Sequence, residues 1–539
     1  MNGLANENLC AEEQALLVEI KADPQRTFPK VFSYYLKRLE ERDNKIVLLE
    51  AIVAKLEEEK RLDRARRFGA SSEVGDHQAR LFDEAEGHQD ESVPEALEAS
   101  DLIEVPAHSK RKPKRKPLPA DLPRVVVNHD LDDADKVCAC GDQMRIIGEK
   151  ITEQLDVIPP QVYVLEHHRP TYSCGKCDES IKTVPLPPQP IPKSMASPGL
   201  LAHVAVAKYA DGLPLYRQSK QFERLGIDLP RNTLASHMIK VGELINPLIE
   251  QLTQHMLGYD LIGMDETPVQ VLKEPGKVAQ SQSYMWVMKG GPPHQPVVSY
   301  HYAPTRAQSV PEQLLADFEG YLQTDGYAGY HAVLKREAIV GLGCWAHVRR
   351  KFMDAKKALP KAQQNKSNRV QQALAFIGQL YQLERAIGAF EPEEKRQRRQ
   401  ADAVVILDRF KTWLDKQSVP PKTLLGKAII YARNEWPRLT VYTTDGRLNI
   451  DNNLVENAIR PFAIGRKNWL FCDSQSGARA SANLYSLIET AKANGINEYA
   501  YLKYIFAQLP TATTDDAVQA LLPWCVDRSS LDAQLTRPT

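Results

Sequence analysis

Between Lys30 and Phe68 the chain has no Gly and no Pro, and its apolar residues fall at heptad spacing. Leu39, Ile46 and Val53 form one series; Leu49 and Leu56 form the offset series. Two alternating apolar series at this period predict an a/d seam on one helix, a leucine-zipper-like element within residues 1–68. Its flanks are charged and its far end is basic (Lys60, Arg61, Arg64, Arg66, Arg67). Such a helix either packs on a core or pairs with a second copy. No neighbouring segment offers a core, so a homo-oligomer through this helix is expected. Residues 69–135 lack periodicity and carry Pro113, Pro117, Pro119 and Pro123, which predicts a linker.

Farther on, Leu200 to Ile249 reads as helical. Leu215–Leu225 ends at Gly226, a short turn reaches Pro230, and a second helix starts near Arg231. Helix, glycine turn and polar-started helix form a helix-turn-helix pattern within residues 198–252, with Arg231, Asn232, Thr233, Ser236 and Lys240 on the side expected to meet DNA. An ordinary helical hairpin has the same pattern. From residue 258 the period changes. Leu261–Leu272, Tyr284–Met288 and Pro296–Tyr302 predict three strands, Pro311–Phe318 a short helix, and Gly320–Tyr327 and Ala338–Cys344 two more strands. Three strands, a helix, then alternating strands and helices is the order of an RNase H-like α/β core, here spanning 258–480. A long helical, basic insertion over about 351–440 interrupts it. A small helical unit at 484–528 would close the chain.

Composition changes this picture once its distribution is considered. The 539 residues carry 69 Lys+Arg and 69 Asp+Glu, and a net charge of zero argues against a nucleic-acid partner. The charges are segregated, however. Nine acids and no Lys or Arg lie between Phe82 and Glu104; six cations occupy Lys110–Lys116; eight cations and one acid lie between Arg349 and Arg369. Basic blocks bind phosphate by releasing counterions, so DNA returns as the expected partner. Taken one at a time, the blocks also read as solvated faces. No run of about eighteen apolar residues occurs, so no membrane span is expected. Met1–Leu17 shows no secretory pattern, so a cytoplasmic, nucleoid-associated protein is expected.

Four of the eight cysteines form two close pairs, Cys138–Cys140 and Cys174–Cys177, on either side of the alternating segment Gln161–Glu166. Two knuckles joined by a short sheet predict a zinc ribbon at 136–180, with four thiolates around Zn²⁺. The Cys138-x-Cys140 gap is tighter than usual. His167 and His168 are either substitute ligands or surface residues. Among the acids, Asp265 and Asp325 stand at strand ends, and Asn452, Glu456 and Arg460 share a helix face that Pro461 would terminate. Converging carboxylates suit Mg²⁺ or Mn²⁺, the hard cations of phosphodiester chemistry. Glu266 competes with Asp265, and strand alternation does not choose between them. Asn453-x-x-Glu456 also fits a capping box, in which Glu456 would only satisfy helix amides.

Met264-Asp265-Glu266-Thr267-Pro268, Thr324-Asp325-Gly326-Tyr327, Gly343-Cys344-Trp345-Ala346-His347-Val348-Arg349-Arg350-Lys351-Phe352 and Asn452-Asn453-Leu454-Val455-Glu456-Asn457, with Arg460-Pro461 and Gly465-Arg466-Lys467-Asn468-Trp469, occur in that order. With them the chain resembles a bacterial DDE transposase of the insertion-sequence 66 family, and the resemblance covers nearly the whole length. It implies that Asp265, Asp325 and Glu456 are the catalytic, metal-holding triad. It also implies the zipper, a zinc finger, the helix-turn-helix and the C-terminal unit, and small accessory proteins of the same element as partners. Cys344-x-x-His347 resembles an element of several DDE families and would pack, order the basic helix or contact DNA. His347, Arg349, Arg350, Arg460, Arg466, Lys467 and Trp469 join the expected DNA contacts, Trp469 as a stacking surface. The expected activity is hydrolysis at element ends followed by strand transfer into target DNA. The alternatives are a DNA-binding regulator with an inactive core and an RNase H-like nuclease that cuts without joining. Chelation should loosen residues 138–177, and elemental analysis of the purified chain should find zinc; a zinc-free, unchanged segment would overturn the ribbon.

Overall fold

The computed structural model describes residues 11–68, 124–127, 129, 151, 152, 154, 161–173, 181–364 and 366–535. The chain divides into two compact units, Met1–Asp90 with Pro188–Thr539, and Glu91–Pro187. In the second unit, strands β1 (Thr171–Ser173) and β2 (Ile181–Thr183) pair antiparallel, Tyr172 opposite Lys182. The Thr171 and Thr183 hydroxyls close that pair at 2.8 Å. Residues 161–170 are not a strand. The expected strand at Gln161–Glu166 is thus corrected: its side chains are all exposed, and alternation without a face to bury gains nothing. Cys138, Cys140, Cys174 and Cys177 lie outside the described residues, as does most of the linker.

The first unit begins with helices α1 (Ala11–Ala22) and α2 (Pro24–Phe68). Leu39, Ile46, Leu49, Val53 and Leu56 are all solvent-exposed along α2. The expectation that no core lies near this helix is corrected at its far end. There Leu62 is buried, Arg61 donates to the Ala358 carbonyl at 2.8 Å, and Glu58 accepts from the Leu424 amide at 3.1 Å.

Four helices follow: α3 (Pro198–Tyr209), α4 (Leu215–Arg224), α5 (Arg231–Leu244) and α6 (Asn246–Leu257). Ser197 caps α3 by accepting from the Leu200 amide, and Pro198 occupies a first-turn position where no amide is needed. Between α4 and α5 the backbone turns through Gly226 at φ +77°, a conformation glycine takes without steric cost. On α5, Leu234, His237, Met238 and Val241 are buried, while Arg231, Asn232, Ser236 and Lys240 are exposed and Thr233 is half-buried. The expected inner and outer faces of that helix are therefore the observed ones.

The sheet that follows is mixed. Its strands are β3 (Leu261–Lys273), β4 (Gln282–Gly290), β5 (Val297–Ala303), β6 (Gly320–Gln323) and β7 (Ile339–Leu342), in spatial order β5-β4-β3-β6-β7, with a short β8 (Cys472–Ser474) beside the end of β3. β3, β4 and β5 are successively antiparallel; β3, β6 and β7 are parallel. Helix α7 (Ser309–Leu314) bridges β5 to β6. After β7 come α8 (Trp345–Ala358), α9 (Lys361–Gln364), α10 (Arg369–Ala386), α11 (Pro392–Arg398), α12 (Val404–Asp415) and α13 (Leu424–Leu439), and these helices enclose a core of their own around Trp345, Phe352, Ile377, Phe410 and Ile429. Inside it Arg399 is buried, ion-paired to Glu384 at 2.7 Å and donating to the carbonyls of Tyr442, Asp445 and Leu448. Every donor of that guanidinium points at an acceptor, which is what makes a buried charge tolerable.

Helix α14 (Asn453–Trp469) returns to the sheet, followed by α15 (Gln475–Ala493), α16 (Glu498–Gln508), α17 (Asp515–Gln519) and α18 (Arg528–Asp532). Pro461 lies inside α14 and does not end it. The bond lost at the proline is offset by burial beyond it, where Phe462 and Ala463 enter the core. Helix α15 covers the free edge of β5. Thr490 Oγ1 accepts from the Val298 amide at 3.1 Å and Ser486 Oγ from the Tyr300 amide at 2.7 Å. Helices α3–α6 and α14–α16 share one hydrophobic core with the sheet, from Ile191 to Leu531.

Gly263 marks a close approach of α14 to β3. A Cβ there would lie 2.4 Å from Val455 Cγ2 and 3.1 Å from Asn452 Oδ1. Gly263→Ala should therefore destabilise the fold by about 1–3 kcal/mol in denaturant unfolding. Gly378→Ala, on α10 with nothing within 4 Å, should instead be neutral or stabilising by up to about 1 kcal/mol.

Candidate active site

Strand β3 pairs with β6 in parallel register, Gly263 opposite Gln323. Asp265 lies two residues farther along within β3, and Asp325 two residues past the end of β6. Gly263 and Asp265 share a strand face, and that face looks at α14, because the missing Cβ of Gly263 points at Val455 and Asn452. Farther along the same face, Thr267 Oγ1 accepts from Arg466 at 3.1 Å. Asn452 donates to the Met264 carbonyl at 3.3 Å, fixing the start of α14 against β3. Glu456 stands one turn into that helix.

The opposite face of β3 carries Glu266. It accepts from the Tyr330 hydroxyl at 2.6 Å and pairs with Arg306, whose guanidinium stacks 3.6 Å above the Tyr327 ring. Glu266 is thus held by an arginine and a tyrosine on the face away from α14. Burial raises its pKa, and its bonds to Tyr330 and Arg306 oppose the shift.

Asp265 is different. Its carboxylate accepts from the Glu266 amide at 2.8 Å. Burial pushes its pKa well above the usual carboxylate range, and repulsion from Glu266, Asp325 and Glu456 pushes it further. Asp265 therefore feels both of the other acids expected to join it. Asp325 accepts from the Tyr327 amide at 2.9 Å. Oxygen donors that repel one another fit a hard divalent cation, which removes the repulsion.

Cys344 caps the start of α8 and is buried, its sulfur accepting from the Asn452 amide at 3.3 Å. Burial pushes its thiol up to about 12. His347, one turn into α8, places Nδ1 3.7 Å from Glu456 Oε1, and burial followed by the nearby Arg350 lowers its pKa to about 4. Arg350 lies 3.6 Å from Glu456 Oε2. Cys344, His347 and Glu456 bring a ligand atom each to within 4.8 Å of one another; Asp265 and Asp325 stand outside that group.

Several expectations need correction. The cap of α14 is Asn452, whose side chain makes no capping bond, so Glu456 lies one position beyond the place a capping box requires. Trp469 is no open stacking surface: it is half-buried, 5.5 Å edge-on to Phe462, with Lys208 6.0 Å over its ring. It closes the hydrophobic side of α14. Arg466 is likewise turned inward, bonded to Thr267 and to the Pro268 carbonyl. Lys467 is exposed, Arg460 and Arg349 are half-buried, and Arg350 is exposed.

Residues that no motif marked also shape the site. Arg438, at the end of α13, donates to Thr324 Oγ1 at 2.6 Å and to the carbonyls of Asp325 and Leu342, while pairing with Glu435 at 2.8 Å. Tyr381 of α10 donates to Asp451 at 2.8 Å, just before α14. Both come from the insertion. No local signal identifies them, since 114 positions separate Arg438 from Thr324.

Residues 193–480 match the Transposase IS66 family, 486–524 the IS66 C-terminal element, 135–178 the zinc-finger binding domain of transposase IS66, and 55–127 the pattern named Transposase C of IS166 homeodomain. The chain belongs to the IS66 family of transposases. Among its relatives in Sinorhizobium fredii (strain NBRC 101917 / NGR234), Uncharacterized protein y4jD is 31% identical over 76% of this chain and 81% of its own length. Uncharacterized protein y4hP is 29% identical over 90% of each. No described helix is long and apolar enough to cross a membrane.

The raised Asp265 pKa has a sign that can be tested. The folded state holds a proton that the unfolded chain has released, so this carboxyl costs no stability below its unfolded value of about 3.9. Stability then falls as pH rises towards the folded value. Asp265→Asn should remove that slope and melt higher than wild type at neutral pH. Magnesium should raise the wild-type melting temperature more than that of the variant; equal shifts would detach Asp265 from the cation.

Proposed function

We propose that the chain is a DDE transposase with an RNase H-like core, in which Asp265, Asp325 and Glu456 hold Mg²⁺ or Mn²⁺ at the DNA phosphate to be cut. The observation that supports the reading is the parallel pairing of Gly263 with Gln323, two residues before Asp265 and Asp325, on a face of β3 turned towards α14. The strand order, with β4 alone antiparallel to the rest, supports the RNase H-like core. Divalent cations bound there supply Lewis-acid polarisation and neutralise charge on the attacking and leaving oxygens.

The residues do the rest by position. Water attacks phosphorus at an element end, the P–O bond to the 3′ oxygen breaks, and a 3′-OH is freed. That hydroxyl then attacks a target phosphodiester, losing its proton as the new P–O bond forms and an old one breaks. No protein nucleophile is needed. The exposed Arg231, Asn232 and Lys240, with Thr233, would read or grip DNA from α5; His347, Arg349, Arg350, Arg460 and Lys467 would line the path near the carboxylates. Zn²⁺ would be held by Cys138, Cys140, Cys174 and Cys177. The exposed seam of α2 supports self-association, and accessory proteins of the same element would complete the assembly, all acting in the cytoplasm on bacterial DNA.

Asp265→Asn, Asp325→Asn and Glu456→Gln should each cut end cleavage by at least about 10²–10³-fold while leaving end binding intact. Near-normal cleavage by any one of them would remove that residue from the triad. Cleavage without joining of labelled ends to target DNA would favour the nuclease; binding without either activity would favour the regulator. Arg231→Ala should weaken DNA binding and, if it meets a phosphate, lower the salt slope by about one.

A further inference from the structure

We propose that Cys344, His347 and Glu456 form a site for a zinc-class divalent ion, distinct from the hard-cation carboxylates and sharing Glu456 with them. The sharing rests on the triad reading above; the site itself does not.

The three ligands come from the starts of two rigid helices. Cys344 is the cap of α8, His347 lies three residues on, and Glu456 is in the first turn of α14. Their ligand atoms lie within 4.8 Å of one another, with His347 Nδ1 and Glu456 Oε1 at 3.7 Å. Tetrahedral zinc, with bonds of about 2.0–2.1 Å to nitrogen and oxygen, would set such a pair about 3.3 Å apart. A shift of a few tenths of an ångström therefore suffices for that edge.

Two further observations point to a metal and away from simple packing. First, the Asn452 amide is aimed at the Cys344 sulfur at 3.3 Å. An amide facing a sulfur favours its thiolate and opposes the burial that raises this thiol. Second, His347 Nδ1 is buried and makes no hydrogen bond among the described residues, its nearest carboxylate oxygen being Glu456 Oε1 at 3.7 Å. Arg350 lies 3.6 Å from the other carboxylate oxygen, Oε2. Cys344 forms no disulfide.

Ligand chemistry sets the class of ion. A thiolate with an imidazole prefers zinc and its neighbours over magnesium or calcium. On binding, the Cys344 S–H bond breaks, its proton passes to solvent, and the sulfur pair forms the bond to the ion. Occupancy would draw Glu456 Oε1 away from Asp265 and Asp325, so zinc-class ions and magnesium would oppose each other.

The test uses the full chain, stripped of metal and re-equilibrated with Zn²⁺ by dialysis, in wild type, Cys344→Ser and His347→Gln, each checked for folding by circular dichroism. Each folded variant should retain about one zinc ion per chain fewer than wild type. With Co²⁺ in place of zinc, Cys344→Ser should lose part of the sulfur-to-metal charge-transfer absorption. Adding Mg²⁺ should weaken the wild-type zinc affinity at this site several-fold. Equal zinc counts and unchanged cobalt spectra in the folded variants would overturn the site. Zinc loss in both variants with no effect of Mg²⁺ would overturn the sharing of Glu456. Zinc loss in both, in a chain that cuts no DNA with Mg²⁺, would uphold the site and overturn the catalytic reading.

Discussion

At Gly263 a helix lies closer to a strand than a side chain would permit. The absent Cβ lets Val455 and Asn452 of the α14 start settle onto β3. From that contact Asn452 reaches the Met264 carbonyl and presents its amide to Cys344, which ties strand, helix and the next helix together. Burial above all, then repulsion from Glu266, Asp325 and Glu456, raises the Asp265 pKa, so these acids resist being brought together. Packing such as this contact must offset that cost.

The insertion is part of that support. Its last helix sends Arg438 back to Thr324 and to the carbonyls of Asp325 and Leu342, the ends of two parallel strands. Its Tyr381 holds Asp451 ahead of α14. The helical insertion therefore also fixes backbone at the site, and changes within its core around Phe410 would be felt there.

Much of this was legible in the sequence, for physical reasons that can be named. The strands from Leu261 to Tyr302 have alternating or solidly apolar patterns, and Gly226 between two helices marked a real turn. The heptads of α2 predicted a helix with an apolar seam two to three heptads long, and the helix found is longer, at 45 residues. Asp265 and Glu266 could not be separated by pattern, because adjacent strand residues face opposite sides and either side can be polar; only the partners, α14 on one side and Tyr330 with Arg306 on the other, separate their faces. Pro461 misled because local propensity lost to the burial of Phe462 and Ala463. Trp469 looked like an exposed ring because its sequence neighbours are basic, yet its contact is Phe462, a helix turn or two back. Arg438 and Tyr381 were invisible because long-range bonds leave no local trace. The cysteine pairs lie outside the described residues, so the ribbon stands on spacing and the family match.

The hydroxyls that seal β5 have a consequence for the order of events in the cell. The amides of Val298 and Tyr300 find their acceptors 192 and 186 positions later, on α15. During synthesis the sheet therefore leaves the ribosome with an open edge, able to recruit a strand from another nascent chain. That edge is covered only after α15 has emerged. A chain cut short within that interval would keep both amides open to a strand from a neighbouring chain.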